Sequence, residues 1–465
     1  MKAMRKTTIL FCSLLVMALN IQAQSYKLPD YKSFTLSNGL TVNLMEQHDV
    51  PVISVSVILP AGAIYDSSQS GIASLTANAL KHGTNNYTKS KLDEALDYVG
   101  ATISTYSGKE YAGLSSKFAT KDQELVLNLI KEILIAPTFD VTEFEKAKAR
   151  TLVSLTQEKE SPRSVIGDYN NKLIYGNHVY SNKINGLEST VSQFTVNDIK
   201  SFYKTHYSPN NAAISIVGDF STKAMKKSIS KLFSSWKKGK TSENLASQPV
   251  VPYSEAKVLL VNKEDAKETT FYIGGKGISR NNTDYIGIDI VNTLFGGRFT
   301  SMLNDELRVN SGLTYGAGSR FNTYRYSGTF YISTFTALET TEQAIDKTLE
   351  VLRNLHENGL DEKGLTSAKN YVKGQFPPDY ETTGQLAGLL SEMFWFDFDK
   401  SFINDFEKNV DAINLKKANE IIKTYFPKDK LQFVLIGKTE AIKDIAKKYG
   451  KVINVEIKEE ITGEY

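Results

Sequence analysis

Cysteine is nearly absent. The chain has one in 465 residues, Cys12, inside an apolar stretch near the N-terminus. Beyond it no thiol exists, which excludes disulfide staples, cysteine-ligated zinc and thiol nucleophiles. Histidine is scarce as well: His48, His82, His178, His206 and His356 are all there are, and no two lie within ten residues. No helical or strand pair of imidazole ligands follows from that spacing. A net charge of +3, from 55 basic and 52 acidic residues, gives no case for nucleic acid or a membrane surface as partner. No later apolar run nears a membrane span, and neither a Gly-x-Ser-x-Gly elbow nor a phosphate loop ending in Lys-Ser/Thr occurs.

What is present is an ordinary globular composition, 41% hydrophobic and 23% charged, in a chain long enough for two to four domains. Residues 1–23 read as a cleavable export signal. Lys2, Arg5 and Lys6 precede an apolar core from Ile9 to Leu19, and Ile21-Gln22-Ala23 precedes the expected cut. Cys12 sits mid-core, which argues against lipidation. Export without cysteine suits a bacterial periplasm.

Periodicity predicts an Asn-Gly hairpin over 34–42, a buried strand at 52–59, and helices at 71–81 and 89–99. Strands at 101–107 and 112–118 follow, then helices at 123–135 and 141–158 and a less regular region. A helix at 196–206, a strand at 212–217 and a helix at 224–236 close the first half. Residues 237–256 are polar and carry Pro249 and Pro252, the pattern of a linker. Strands at 258–261 and 270–273 and a helix at 285–294 open the second half. Strands at 319–325 and 329–335 come next, then helices at 342–357 and 362–375.

The halves repeat. Helix, Pro-bearing loop and buried strand ending in Gly218-Asp219 recur as helix, loop and strand ending in Gly437-Lys438. The expected fold is therefore α+β: two homologous domains, residues 24–236 and 257–465, each an antiparallel-rich sheet packed with helices.

Two stretches bear on function. Gly296-Gly297-Arg298-Phe299 leads to Leu307-Arg308, then Gly312-Leu313-Thr314-Tyr315-Gly316: helix end, glycine corner, and a strand opening on an aromatic. Arg308 and Tyr315 across such a corner suit a grip on a peptide backbone. Spacing alone favours a helix-capping Arg308 and a core-packed Tyr315. The other stretch is Gly71-Ile72-Ala73-Ser74-Leu75-Thr76-Ala77-Asn78, followed by His82-Gly83-Thr84.

Taken together, the repeat, the hairpin, Gly71-x-Ala73 and Gly83-Thr84 resemble the pitrilysin/insulinase-type zinc peptidases, the inverzincins. The resemblance covers about residues 30–455 and implies half of a clam-like shell. That family carries His-x-x-Glu-His between these flanks, two imidazoles for zinc and a carboxylate to activate water. The matching positions here are Ser74, Ala77 and Asn78, and Ser154 falls near the family's third ligand. No family zinc site follows, and His82 is expected to be solvent-facing or a turn cap. The family's second-domain pattern, Gly-Gly…Ser-x-Leu…Leu-Arg…Gly-Leu-x-Tyr, is matched throughout, with Met302 where an Arg is common. The resemblance makes Arg308 and Tyr315 substrate-gripping residues, and Gly296, Gly297 and Gly312 were expected to give close approach and positive φ.

The implied function is an exported, non-catalytic subunit of a heterodimeric zinc peptidase acting on peptides or unfolded segments. It resembles the zinc-free subunit of mitochondrial processing peptidase. No cofactor is expected in this chain, and zinc is expected in a sibling with an intact motif. A stand-alone peptide-binding scaffold is the alternative, and an active peptidase with an unusual site a third reading.

Overall fold

The computed structural model describes residues 26–240, 243, 245–463 and 465. The signal-sequence reading of residues 1–23 lies outside them. Two six-stranded sheets organise the chain. In the first, Lys32–Thr35 (β1), Thr41–Glu46 (β2), Val52–Leu59 (β3), Thr102–Ser107 (β4), Ala112–Ala119 (β5) and Ala213–Gly218 (β6) are ordered β1-β2-β6-β3-β5-β4. In the second, Lys257–Asn262 (β7), Glu268–Lys276 (β8), Gly318–Thr323 (β9), Gly328–Ala337 (β10), Gln432–Gly437 (β11) and Lys451–Glu456 (β12) are ordered β12-β7-β11-β8-β10-β9. The inner five strands correspond one for one, and each half has one parallel pair at the same place, β2 with β6 and β7 with β11. Only the edge strand at that end differs: β1 runs antiparallel to β2, whereas β12 runs parallel to β7 and gives the second sheet an additional parallel pair. The sequence repeat is thus a repeat of fold.

Helices of two turns or more in the first half are Ile72–Ala79 (α1), Lys89–Val99 (α2), Gln123–Ile135 (α3), Val141–Glu158 (α4), Pro162–Tyr175 (α5), Val196–His206 (α6) and Thr222–Phe233 (α7). Those of the second half are Tyr285–Asn292 (α8), Thr341–Asn358 (α9), Glu362–Gln375 (α10), Thr383–Phe396 (α11), Leu415–Tyr425 (α12) and Thr439–Ala446 (α13). The Asn-Gly hairpin forms with Thr35 opposite Thr41. Gly39 takes φ +92°, and the buried Asn38 amide donates to the Phe233 and Trp236 carbonyls.

Each sheet buries one face under helices of its own half, with Val55, Val57 and Ile130 in the first core and Phe271, Ile273 and Leu352 in the second. The other face is covered by a helix from the opposite half. On α5, Val165, Ile166, Tyr169 and Leu173 pack on Leu259, Val261, Val434 and Ile436 of the second sheet. On α11, Leu386, Leu389, Leu390 and Met393 pack on Met45 and Val217 of the first. Each large apolar side chain so buried is worth roughly 1.5–3 kcal/mol, so either crossing binds the halves firmly. Neither helix was assigned from the sequence. The stretch after Glu158 reads as less regular and is α5, and the pattern over 383–396 predicts no element where α11 forms.

A buried carboxylate completes the join. Glu110, in the β4–β5 turn, accepts the Tyr180 hydroxyl at 2.5 Å and the Arg325 backbone N–H at 3.0 Å, with the Trp395 indole N–H at 3.4 Å. Those donors come from both halves. Within 237–256, read as a linker, two described residues lie on the body: Ala246 is buried, and the Tyr253 hydroxyl accepts the Lys276 N–H at 3.1 Å.

Candidate functional site

The corner at Arg308 is built from two wide helical turns. After α8 the chain continues as a π-helical turn, Thr293–Gly297, and after the short helix Met302–Asn304 as another, Asp305–Asn310. Such turns interrupt regular packing and often mark functional sites. The second closes at Gly312, φ +62°, with the Leu313 N–H donating to the Leu307 carbonyl at 2.9 Å. A left-handed residue here favours glycine because it has no Cβ to clash.

Gly296 has a different reason. A Cβ on it would lie 2.4 Å from Ser319 Oγ and 2.5 Å from Ser319 N, so only hydrogen fits between this turn and β9. Gly297 is less confined, with the nearest atom, Asn292 O, at 3.1 Å. Neither has positive φ, which corrects the expectation for both; close packing, not backbone handedness, requires Gly296.

Arg308 and Tyr315, seven positions apart in sequence, meet. The Arg308 guanidinium carbon lies 4.7 Å from the Tyr315 ring centroid and 4.8 Å from that of Phe299, so the cation sits between two rings. Both rings face solvent: Tyr315 is 76% exposed and Phe299 67%, with Val309 beside them at 66%. Tyr315 is neither core-packed nor in a strand, since β9 begins only at Gly318. Among the described residues Arg308 has no carboxylate or carbonyl partner beyond these ring contacts. A half-buried, stacked guanidinium without an acceptor keeps its in-plane N–H groups available.

Side chains that sequence reasoning missed hold this corner. Asn304, nearly fully buried, donates Nδ2–H to the Phe299 carbonyl at 2.7 Å and accepts the Ala317 N–H on Oδ1 at 3.3 Å. One amide therefore ties the two ring-bearing loops together. From β10, the Thr336 hydroxyl donates to the Leu313 carbonyl at 2.6 Å and that of Thr334 to the Gly316 carbonyl at 2.9 Å. The only sequence signal was Asn304's place inside the matched motif, three residues after Ser301, whose hydroxyl caps its N–H.

Together these groups line a cavity of about 620 Å³. Arg163 and Ile166 of α5 reach it from the first half, and Tyr272 of β8 forms part of its wall, stacked on Tyr331 at 4.3 Å. The cavity is therefore a product of both halves.

The other candidate stretch lies on α1. The Asp66 carboxylate accepts the N–H groups of Gly71 at 2.7 Å and Ala73 at 3.0 Å, which satisfies the start of the helix. Burial pushes this carboxyl up to about 7. The fold around Gly71-x-Ala73 is thus intact although the chemistry is not. Ser74 is half-buried, Ala77 fully buried and Asn78 exposed, while Ser154 is exposed on α4, which packs against α1. Two hydroxyls, a methyl and an amide do not supply the imidazoles and carboxylates that hold zinc, so these residues do not fit that metal.

His82 is the correction at this end of the helix: it is buried, not solvent-facing. Its Nε2 lies 3.1 Å from Asn78 Oδ1, and desolvation holds its pKa down at about 4. It stands as a neutral donor to a motif position that no longer carries an imidazole.

Comparison with known proteins agrees with this geometry. The profile described as "Insulinase (Peptidase family M16)" matches residues 41–186, and "Peptidase M16 inactive domain" matches 193–372. Among curated relatives, "Uncharacterized zinc protease YmxG" of Bacillus subtilis is 22% identical over 86% of this chain and 96% of its own. "Non-peptidase homolog YmxG" of Helicobacter pylori is 23% identical over 86% and 95%, and "Zinc protease PqqE" of the same organism 22% over 89% and 94%. The crystal structure of a peptidase M16 inactive domain from Pseudomonas fluorescens superposes with a TM-score of 0.83 at 23% identity, covering 88% of this chain and 98% of that one. A protease structure from Helicobacter pylori gives 0.80 at 20%, covering 88% and 100%.

Proposed function

Because the chain belongs to the insulinase (M16) peptidase family, as an inactive member, we propose that it is the substrate-gripping subunit of an exported, two-chain zinc peptidase. The observation that carries this is one contrast within the molecule. The positions that would hold metal are Ser74, Asn78 and Ser154, and that of the water-activating carboxylate is Ala77, while Arg308 stands intact beside two exposed rings with its donors free. A solvent-exposed cluster of Phe299, Val309 and Tyr315 is a surface that a second chain would cover. Similarity to both a non-peptidase homologue and a zinc protease of one organism fits a division of labour between two chains.

Zinc in the partner would supply the activated water and polarise the scissile carbonyl. This chain's part is to orient and stabilise. The peptide lies extended in the cavity. Arg308 N–H groups and the Tyr315 hydroxyl then point donors at the carbonyl oxygen as it gains negative charge, the moment at which pre-placed donors count most. The aromatic walls exclude water and strengthen those bonds. A chamber of this size suits short or unfolded peptides, not folded domains.

The test is reconstitution. The purified chain alone cleaves no fluorogenic peptide; mixed with a zinc-motif sibling it gives chelator-sensitive cleavage well above that of the sibling alone. Chelator-sensitive cleavage by the lone chain would overturn the proposal. So would a sibling whose rate is unaffected by this chain.

A further inference from the structure

The cavity at the Arg308 corner contains three guanidinium groups, and each rests on an aromatic ring of the same cavity. Arg308 lies between Phe299 and Tyr315. Arg163, which α5 brings across from the first half, has its guanidinium carbon 3.7 Å from the Phe335 ring centroid. Arg298 stands 5.8 Å from that of Tyr371. Stacking occupies the face of a guanidinium and leaves its edge, where the N–H groups lie, for an acceptor.

Countercharge is sparse here. Among the described residues no Asp or Glu lines the cavity. Arg163 has Glu268 at 3.6 Å, with both side chains more than half exposed, a long pair that solvent screens. Arg298 uses Nε and Nη1 on the Thr300 carbonyl and the Ser367 hydroxyl, both neutral acceptors. Arg308 has no acceptor at all among the described residues. In a chain whose charges otherwise nearly cancel, Arg298 and Arg308, with no carboxylate partner among the described residues, and Arg163, paired only loosely with Glu268, give one void a local positive field, and a concave site focuses it.

We propose that this cavity selects acidic peptide segments, with a carboxylate held by the edges of Arg163 and Arg298 while Arg308 engages the backbone. The inference rests on the grip reading of Arg308 and adds a substrate class to it. Arginine forks bind carboxylates through paired N–H···O bonds, which a lysine would not reproduce. The carboxylate comes from a Glu or Asp side chain or from the peptide's own C-terminus, and the chemistry is the same.

The experiment is calorimetric titration of the full chain with ten-residue extended peptides that differ only in carrying two Glu, two Gln or two Lys. Each is made with a free and an amidated C-terminus. The Glu peptide binds at least tenfold more tightly than the Gln peptide, and the Lys peptide most weakly. A preference that survives amidation assigns the side chain as the anion, and one lost on amidation assigns the terminus; both support carboxylate selection. The double variant Arg163→Gln, Arg298→Gln brings the Glu and Gln peptides to within about twofold. Arg353→Gln, on the exposed surface of α9 away from this cavity, leaves the preference intact. Equal affinity for Glu and Gln peptides, with Arg308→Ala still weakening both, overturns acid selection and leaves the grip standing. If Arg308→Ala weakens neither, the grip fails and this inference with it.

Discussion

Two side chains decide how this molecule is read, and both do so by what they are bonded to. Asn304 turns a motif into a site: its single amide joins the Phe299 loop to the Ala317 loop and so sets the spacing of the rings around Arg308. Asn304→Ala leaves the part-buried Phe299 carbonyl and Ala317 N–H without their partner, a cost of about 0.5–1.5 kcal/mol for each bond. The expected outcome is a lower urea midpoint and, in the reconstituted pair, a kcat that falls because the donors are no longer held in place. A variant with unchanged midpoint and kcat would remove Asn304 from the account. His82 records the other end of the contrast. Its folded pKa of about 4 lies below the unfolded 6.5, so the fold favours the neutral ring. Its contribution is fully present above pH 6.5 and is lost as pH falls toward 4, which amounts to roughly 1–2 kcal/mol at pH 5. Urea unfolding at pH 7 and pH 5 checks this: wild type loses that much more than His82→Gln, and equal losses would contradict it. The burial of His82 was not legible in the sequence, because a histidine before Gly83-Thr84 reads as a turn residue until its neighbours in space are known.

Among elements, those seen in the sequence and those missed differ in a physical way. Val52–Leu59, Lys89–Val99, Gln123–Ile135, Val141–Glu158 and Val196–His206 match their predicted bounds. Each buries one face against its own half, so the periodicity is local and strong. The two missed helices bury theirs against the other half. α5 carries Gly167 and two asparagines, and α11 is apolar nearly all round, so neither shows a clean stripe. Signals were nevertheless there: Pro162 at the first position of α5, and a Thr382–Gln385 capping box opening α11. The crossing helices also change what residues 237–256 can do. A protease site placed between Lys240 and Leu245 and then cut should leave both halves co-eluting on native gel filtration, separating only in denaturant. Separation without denaturant would show that α5 and α11 do not hold the halves together.

At the scale of the whole molecule, the two sheets repeat one plan but divide its chemistry unequally. The first half keeps the helix start, Asp66 with Gly71 and Ala73, and carries Ser74, Ala77 and Asn78 where two ligands and a water-activating carboxylate would stand. The second keeps Gly296, Arg308, Gly312 and Tyr315, with the Arg308 guanidinium stacked 4.7 Å from the Tyr315 ring centroid. That division was legible in the sequence because both motifs are short and contiguous. The cavity was not, since it takes Arg163 from one half and Tyr272, Phe299 and Tyr371 from the other. With the halves interlocked through α5 and α11, the proposed function takes its metal from a second chain. Under that proposal Arg308 acts on a substrate whose metal is held by the partner. The direct measurement is kcat/KM for peptide cleavage by the reconstituted pair, wild type against Arg308→Ala, with assembly followed by gel filtration. Loss of a pre-placed oxyanion donor predicts a fall of about 10²–10³-fold with the pair still assembled. An unchanged kcat/KM in an intact pair would contradict it.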